Sequence, residues 1–425
     1  MFEVGVGTSR SWDPDTVARE AIANGLKGLS HPPQIVLFFS TIHYQKNNGF
    51  KKIINLVYDS CPALTQLAGC TVGGFISREG CYAHGIALVF IYSDEVDFSI
   101  SIGKNSKRSP RTAVKQVLGK LPPSLKKRGD NNFLLLMISG GKVPYIPFLK
   151  QGRVVHSNII GEIESKAINL TLKIIQKGVG REEEILQSIT KELPDATIMS
   201  MSSMDDEKMN VNYQFVNRDV LTDIIVGVSF STTVPVSLES NVTLEDTGVE
   251  FNITKIGKDK RTIKELDGIP AKEAFIKSMK WPKAYFDENI YRKVFFYPLV
   301  HVRDGVSIPS VAGLFLGQNI YSTYQIESDK LKVMSYSGKK LAEAINSDTK
   351  KAYKENPKFV FVIECGIRLE AMGRKIFSIR ESILRNLGPV PFLLVYAAGE
   401  GAYSKHKLQY GNETYNRVSF FEGKK

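Results

Sequence analysis

The chain has 425 residues, 43% of them hydrophobic and 24% charged, with a net charge of +12. That length exceeds one ordinary core and that composition is too apolar for a disordered polymer, so two globular domains are expected. The charge attracts nucleic acid or anionic surfaces in general and says nothing about fold.

The longest apolar runs, IALVFIY (86–92) and FLLLMI (133–138), have the length of buried strands and fall well short of the ~18 to 20 residues a membrane span needs. The opening MFEVGVGTSR lacks a basic stretch followed by an apolar one, so a cytoplasmic protein without a membrane partner is expected. Cys61, Cys70, Cys81 and Cys365 form no CxxC pair, which argues for free thiols and against a metal ribbon.

Residues 3–7 alternate as a short strand. WDPDTVAREAIANGLKGL (12–29) reads as a helix: Asp13 or Asp15 can cap it, Pro14 suits its first turn, and Val17, Ala21, Ile22 and Leu26 share a face. QIVLFFS (34–40) is a continuous apolar run of the kind covered on both sides. A second amphipathic helix over 49–59 leads to GCTVGGFIS (69–77), where Gly69, Gly73 and Gly74 let the backbone turn tightly. Unpaired N–H groups in such a turn can hold a carboxylate or phosphate, with Cys70, Thr71 and Ser77 adding small polar side chains. The alternative is a turn that only reverses the chain.

Strands 85–93 and 97–101 flank an SDEV turn, and there the pattern becomes antiparallel. The segment 104–128 carries Lys104, Lys107, Arg108, Arg111, Lys115, Lys120, Lys126, Lys127 and Arg128 with no acidic residue, around a helix that opens at Pro110. A strand at 133–138, helices at 163–177 and 182–192, a strand at 196–201 entering SSMDDE, and strands at 213–216 and 223–231 then repeat the earlier order of elements. A diverged internal duplication in the first domain accounts for that recurrence. After the polar junction STTVPVSLESN, helices at 271–279, 339–346 and 374–387 alternate with strands at 294–300, 313–317, 359–364 and 392–396. The expected fold is mixed α/β, with two mixed-sheet domains and packed helices over 1–235 and 236–425.

Taken in order, these segments resemble the FIST domain proteins. The amino-terminal FIST domain is matched by VGVGTSRSWDPDTVAREA, QIVLFFS, AGCTVGGFIS and CYAHGIALVFI. The carboxy-terminal FIST domain is matched by IKELDGIPAKEAF, FVFVIECGIRLEAMG and LGPVPFLLVYAAGEGAYSKHKLQYGNETY. The resemblance implies intracellular sensing of amino acids or related small metabolites, without catalysis; some relatives bind haem and sense nitric oxide. Many members are fused to a signalling output, for which no residues remain here, so the signal is expected to pass through a separate partner.

Two constellations fit a small ligand. In ECGIRLEAMG, Cys365 and Arg368 stand where a strand ends and a helix begins, the usual place for a ligand in α/β proteins, and Arg368 can pair with a carboxylate. The alternative is an inert buried cysteine and a surface arginine. In GEGAY and YGNETY, Glu400 lies between Gly399 and Gly401 on a backbone expected to be flexible and can receive an ammonium group, with Asn412 and Thr414 beside it; a plain hairpin is the alternative. His84 and His43 are the candidate haem ligands, against structural histidines. A Cys365 nucleophile is the enzyme alternative, although no histidine is placed beside it by a motif. Nucleic-acid binding through 104–128 is a third class, against a solvated basic helix, since the segment has no aromatic residue for base stacking.

Overall fold

The computed structural model describes residues 1–64, 66–126, 132–142, 153–232, 234–287 and 289–423. The chain passes three times through one pattern of strand, helix, strand, helix, strand, hairpin, strand. The first pass comprises β1 (Phe2–Ser9), α1 (Pro14–Leu26), β2 (Ile35–Ser40), α2 (Gly49–Ser60), β3 (Gln66–Thr71), the hairpin β4 (Gly74–Ile76) and β5 (Cys81–Tyr82), and β6 (Ile86–Ser93). The second comprises β7 (Val96–Lys104), α3 (Pro110–Lys120), β8 (Phe133–Ser139), α4 (Glu182–Glu192), β9 (Thr197–Ser203), β10 (Gln214–Val216), β11 (Asp219–Leu221) and β12 (Ile224–Thr232). The third comprises β13 (Val236–Val242), α5 (Gly338–Lys354), β14 (Phe359–Cys365), α6 (Lys375–Leu387), β15 (Phe392–Ala397), β16 (Glu400–Ser404), β17 (Lys407–Gly411) and β18 (Thr414–Phe420).

Three sheets result, with one strand order. Sheet I runs β1-β6-β2-β3-β10-β11, sheet II β7-β12-β8-β9-β16-β17, and sheet III β13-β18-β14-β15-β4-β5. In each, the second and third strands of a pass are parallel, as in β2 with β3, β8 with β9 and β14 with β15. The hairpin of every pass leaves its own sheet and extends a neighbour's: β4–β5 joins β15, β10–β11 joins β3, and β16–β17 joins β9. The recurrence expected in the first half therefore continues through a third pass, and sheets II and III each contain strands from both sides of residue 235.

The continuous apolar strands follow from this arrangement. Ile35, Leu37 and Phe39 of β2 point into a core shared by the three sheets, while Val36 and Phe38 point outward to α1 and α2. In β14, Phe359, Phe361 and Ile363 face the same shared core and Val360 and Val362 meet α5 and α6. With both faces covered, alternation has no polar side to show, and the runs read as uniformly apolar. The N-cap of α1 is Asp13, whose carboxylate accepts from Thr16 N at 2.8 Å.

Two long insertions complete the chain. One, between β8 and α4, contains the helix Asn158–Ile175; the other, between β13 and α5, contains most of a fourth, nine-stranded sheet. They meet where Val154–Val155 pairs with Ala312–Leu316.

Several expectations are corrected. The strands around SDEV do not pair with each other: β6 pairs with β1 and β2, and β7 with β12, so the turn carries the chain from one sheet to the next. The run at 294–300 divides into a helix, Ile290–Val294, and a strand, Leu299–Arg303, because Pro298 cannot continue either element's interior. The helix at 339–346 extends to Gly338–Lys354, since Ile345, Thr349 and Ala352 continue its buried face through a polar sequence.

Candidate functional site

The parallel pairs end on one level. Register sets Ser40 opposite Thr71, Ser139 opposite Ser203 and Cys365 opposite Ala397. From there each chain crosses into a neighbouring sheet, and the crossings are tied by Gly73 N to Tyr396 O (2.9 Å), Met204 N to Thr71 O (3.0 Å) and Ala398 N to Ser202 O (2.9 Å). The carboxyl ends of parallel strands, where connections diverge, are where α/β folds leave room for ligands.

In the third pass a cavity of about 120 Å³ opens over Cys365. Its wall is mainly apolar, formed by Ile168, Val179, Met204, Met209, Phe295, Val311, Leu314 and Ile367. The polar lining groups are positioned by their own bonds. Asp205 accepts from the N–H groups of Met209 (2.9 Å) and Asn210 (2.7 Å), and Arg153 donates to the Glu207 carbonyl at 3.0 Å. Asn412 accepts from Thr323 Oγ1 at 2.7 Å and donates to the Ala398 carbonyl at 3.0 Å. Such a site can enclose an apolar body and orient a polar end.

Behind Cys365 lies a buried layer of charge. Arg368 Nε is 3.0 Å from Glu364 Oε1, both side chains fully enclosed, and Glu400 and Glu413 are buried beside them. Three carboxyls thus share one guanidinium. Burial raises all three above the usual carboxylate range; Glu413 adds to the effect on Glu400 and Glu364 to that on Glu413, while Arg368 opposes it. Glu400 Oε2 accepts from Thr414 Oγ1 at 3.1 Å. Burial, then Glu400 and Glu413, push the Cys365 thiol up as well, outweighing the Glu413 and Ile367 N–H groups that bond to it. The thiol is held protonated.

The model of the FIST N domain matches residues 34–269, more than half of the chain. The chain belongs to the FIST family. That match continues past residue 235 and takes in the cavity's Arg153 to Met209 wall, while Phe295 to Asn412 lie beyond it. FIST is in general a sensory, ligand-binding domain. None of the curated proteins compared matches the chain. Among solved structures, cyanuric acid hydrolase from A. caulinodans aligns over 99% of this chain and 100% of its own, at 7% identity and a TM-score of 0.32, too distant to inform fold or activity.

The FIST fold distributes the candidate residues unevenly. Cys365 and Asn412 line the cavity; Arg368, Glu400 and Thr414 form the layer behind it. Glu400 is held in β16 opposite Met201 and is not on a flexible backbone. Gly399 faces the Tyr324 hydroxyl and Gly401 faces Leu186 and Ser200. Gly69 abuts the Phe38 carbonyl, and Cys70 is buried in the shared core, 4.0 Å from the Met201 sulfur. The N–H groups of Thr71, Val72 and Gly73 go to Tyr213, Ser40 and Tyr396 carbonyls, so the glycine stretch is no anion cradle: its donors make the sheet crossing. Gly74 belongs to β4, opposite Tyr396.

His43 and His84 do come together, with ring centroids 4.7 Å apart. The His84 ring stacks on Trp12 at 3.6 Å and its Nε2 is buried, so a haem iron reaches that atom only if its cover moves. Burial pushes His84 down to about 4 and lowers His43. In the basic segment, Lys107 is buried, with Nζ 2.9 Å from Ser139 Oγ and 3.2 Å from Asp223, so one of its cations serves the interior; Lys127 and Arg128 lie outside the described residues. Sequence reading missed Met204, Asp205, Arg153 and the Val311–Leu314 wall. The first two follow β9 where Val72 and Gly73 follow β3, a correspondence visible once the passes are aligned.

Proposed function

We propose that this FIST protein is a non-catalytic cytoplasmic sensor that binds a small metabolite in the cavity over Cys365 and signals through a separate partner. The observation that carries the reading is a mostly apolar cavity with a few fixed polar groups at the ends of β14 and β15, within a family of sensory domains. An amino acid with an apolar side chain suits it. The aliphatic wall takes the side chain, and Asn412, Thr323, Asp205 and Arg153 face the polar end. Cys365 and Asn412 contact the ligand directly; Arg368, Glu400 and Thr414 act from behind by setting the local charge. Residues 236–425 are read as the carboxy-terminal FIST domain.

Binding is preferred to catalysis because the Cys365 thiol is pushed away from the thiolate that a nucleophile needs. The buried His84 Nε2 favours a haem-free protein. The internal role of Lys107 favours a protein without a specific nucleic-acid partner.

Native mass spectrometry of freshly purified protein identifies a retained ligand, and calorimetry with apolar amino acids and their deaminated acids defines its class. Leu314→Trp fills the cavity and is expected to weaken binding about tenfold or more. Unchanged affinity in that variant removes the cavity from the function.

A further inference from the structure

The helix Asn158–Ile175 has two dissimilar faces. Inward, Gly161 abuts the backbone of Leu316 and Gly317, Ser165 lies 3.3 Å from Thr262 Oγ1, and Ile168 lines the cavity. Outward, Ile159, Ile163, Leu170 and Ile174 are 77%, 61%, 57% and 56% exposed. At 3.6 residues per turn these four positions fall within about 60° of arc, an apolar ridge along the helix, with the exposed Lys166 about 20° outside that arc between Ile163 and Leu170. Ile160 and Ile175 are exposed at its two ends. Scattered exposed hydrophobics need no explanation; a contiguous ridge marks an interaction surface.

The exposed charges around the ridge are mainly positive, the half-exposed Glu162 apart. Lys166 is exposed on the helix and Lys177 just beyond it. The helix end is tied to the basic segment: Arg108 donates to the Ile174 carbonyl, and Gln176 Nε2 donates to Asn105 at 3.0 Å. Lys104 and Arg108 are exposed there. The helix's carboxylates are engaged elsewhere, Glu162 with Lys264 and Asn319, and Glu164 in the interior.

We infer that this face docks on an anionic lipid bilayer, the helix lying in the interface with its ridge at the acyl boundary and Lys104, Arg108, Lys166 and Lys177 among the headgroups. Aliphatic residues along one stripe with cations at its margins are what an interfacial helix uses. A protein partner fits less well, because protein interface cores favour aromatic residues and deplete lysine, and the ridge has no aromatic residue. No helix among the described residues is long and apolar enough to cross a membrane, so the helix lies on the surface. This departs from the expectation of no membrane partner and is independent of the ligand reading.

The test is co-sedimentation of the full chain with vesicles of phosphatidylcholine alone and of phosphatidylcholine mixed with phosphatidylserine, with sedimentation velocity of the free protein alongside. Wild type binds the anionic vesicles, not the zwitterionic ones, and added salt weakens the binding. Ile163→Asp with Leu170→Asp, exposed positions whose change leaves the melting temperature in place, lowers vesicle binding by about tenfold or more. Lys166→Glu with Lys177→Glu lowers it several-fold. Equal retention on both vesicle types, no retention on either, or full retention of the aspartate variant overturns the inference. So does a wild-type dimer that the aspartate variant turns into a monomer, since the ridge then belongs to a second copy of the chain.

Discussion

Glu364, Glu400 and Glu413 stand beside a single Arg368 in a layer closed to solvent, and this fixes the sign of a pH effect. Their folded-state pKa values are raised, so as pH climbs past the ordinary carboxyl range the folded chain keeps protons that the unfolded chain has released. The associated stability is complete below the ordinary carboxyl pKa and is lost as pH rises through the raised values. Glu183, pushed by burial up to about 7 in spite of Arg261, acts in the same direction. Lys107, lowered by burial to about 8, acts oppositely above that pH, and His84 and His301, lowered by burial to about 4, act oppositely below the ordinary imidazole value of about 6.5. The melting temperature is therefore expected to fall between about pH 6.5 and 8. Glu413→Gln keeps the shape and removes one titration, so it should flatten that decline and raise the melting temperature at pH 8. An unaltered slope in the variant would show that Glu413 is ionised in the folded chain.

At the scale of elements, close contact between strand and helix depends on small residues. A Cβ on Gly7 would lie 1.8 Å from the Ala21 carbonyl, and one on Gly103 would lie 2.2 Å from that of Ala113, the β1–α1 and β7–α3 contacts of successive passes. Gly7→Val should cost at least about 2 to 3 kcal/mol in a denaturant titration, because backbone must move. Gly119→Ala, on α3 with nothing within 4 Å, should instead stabilise by roughly 0.5 to 1 kcal/mol. An undiminished midpoint in Gly7→Val would mean that α1 is free to shift.

Most elements were legible from local signals: Asp13 and Pro14 at the start of α1, the apolar runs of β2, β8 and β14, and the turn glycines. The partners of the strands were not. Each run satisfies its own period wherever it pairs, and nothing in SDEV or GCTVGGFIS distinguishes a reversal within a sheet from a crossing between sheets. The candidate site was half legible for the same reason. Cys365 and Asn412 belong to the strand-end motifs, whereas Leu314 and Val311 come from an insertion that only folding brings over them.

At the scale of the whole molecule, the exchanged hairpins decide whether the chain can be divided. Cutting between β12 and β13 separates 1–235 from 236–425, yet it divides two sheets. The first fragment keeps β4–β5 without the β15 edge it pairs with, and its β9 loses β16. The second keeps β16–β17 without β9, and its β15 loses β4. The shared core is also split, since Phe39 stacks on Phe361 at 5.4 Å and Phe133 meets Phe420 at 5.4 Å. Each fragment would expose apolar sheet faces and two unpaired strand edges, the combination that leads to aggregation. Expressed alone, each is expected to be insoluble or to form heterogeneous assemblies; expressed together, they are expected to associate and elute as one species the size of the intact chain. Light scattering after size exclusion distinguishes the outcomes. Two separately soluble, monodisperse halves with cooperative melts would mean that the hairpin exchange contributes little to either half, and that the shared core is an interface between self-sufficient domains.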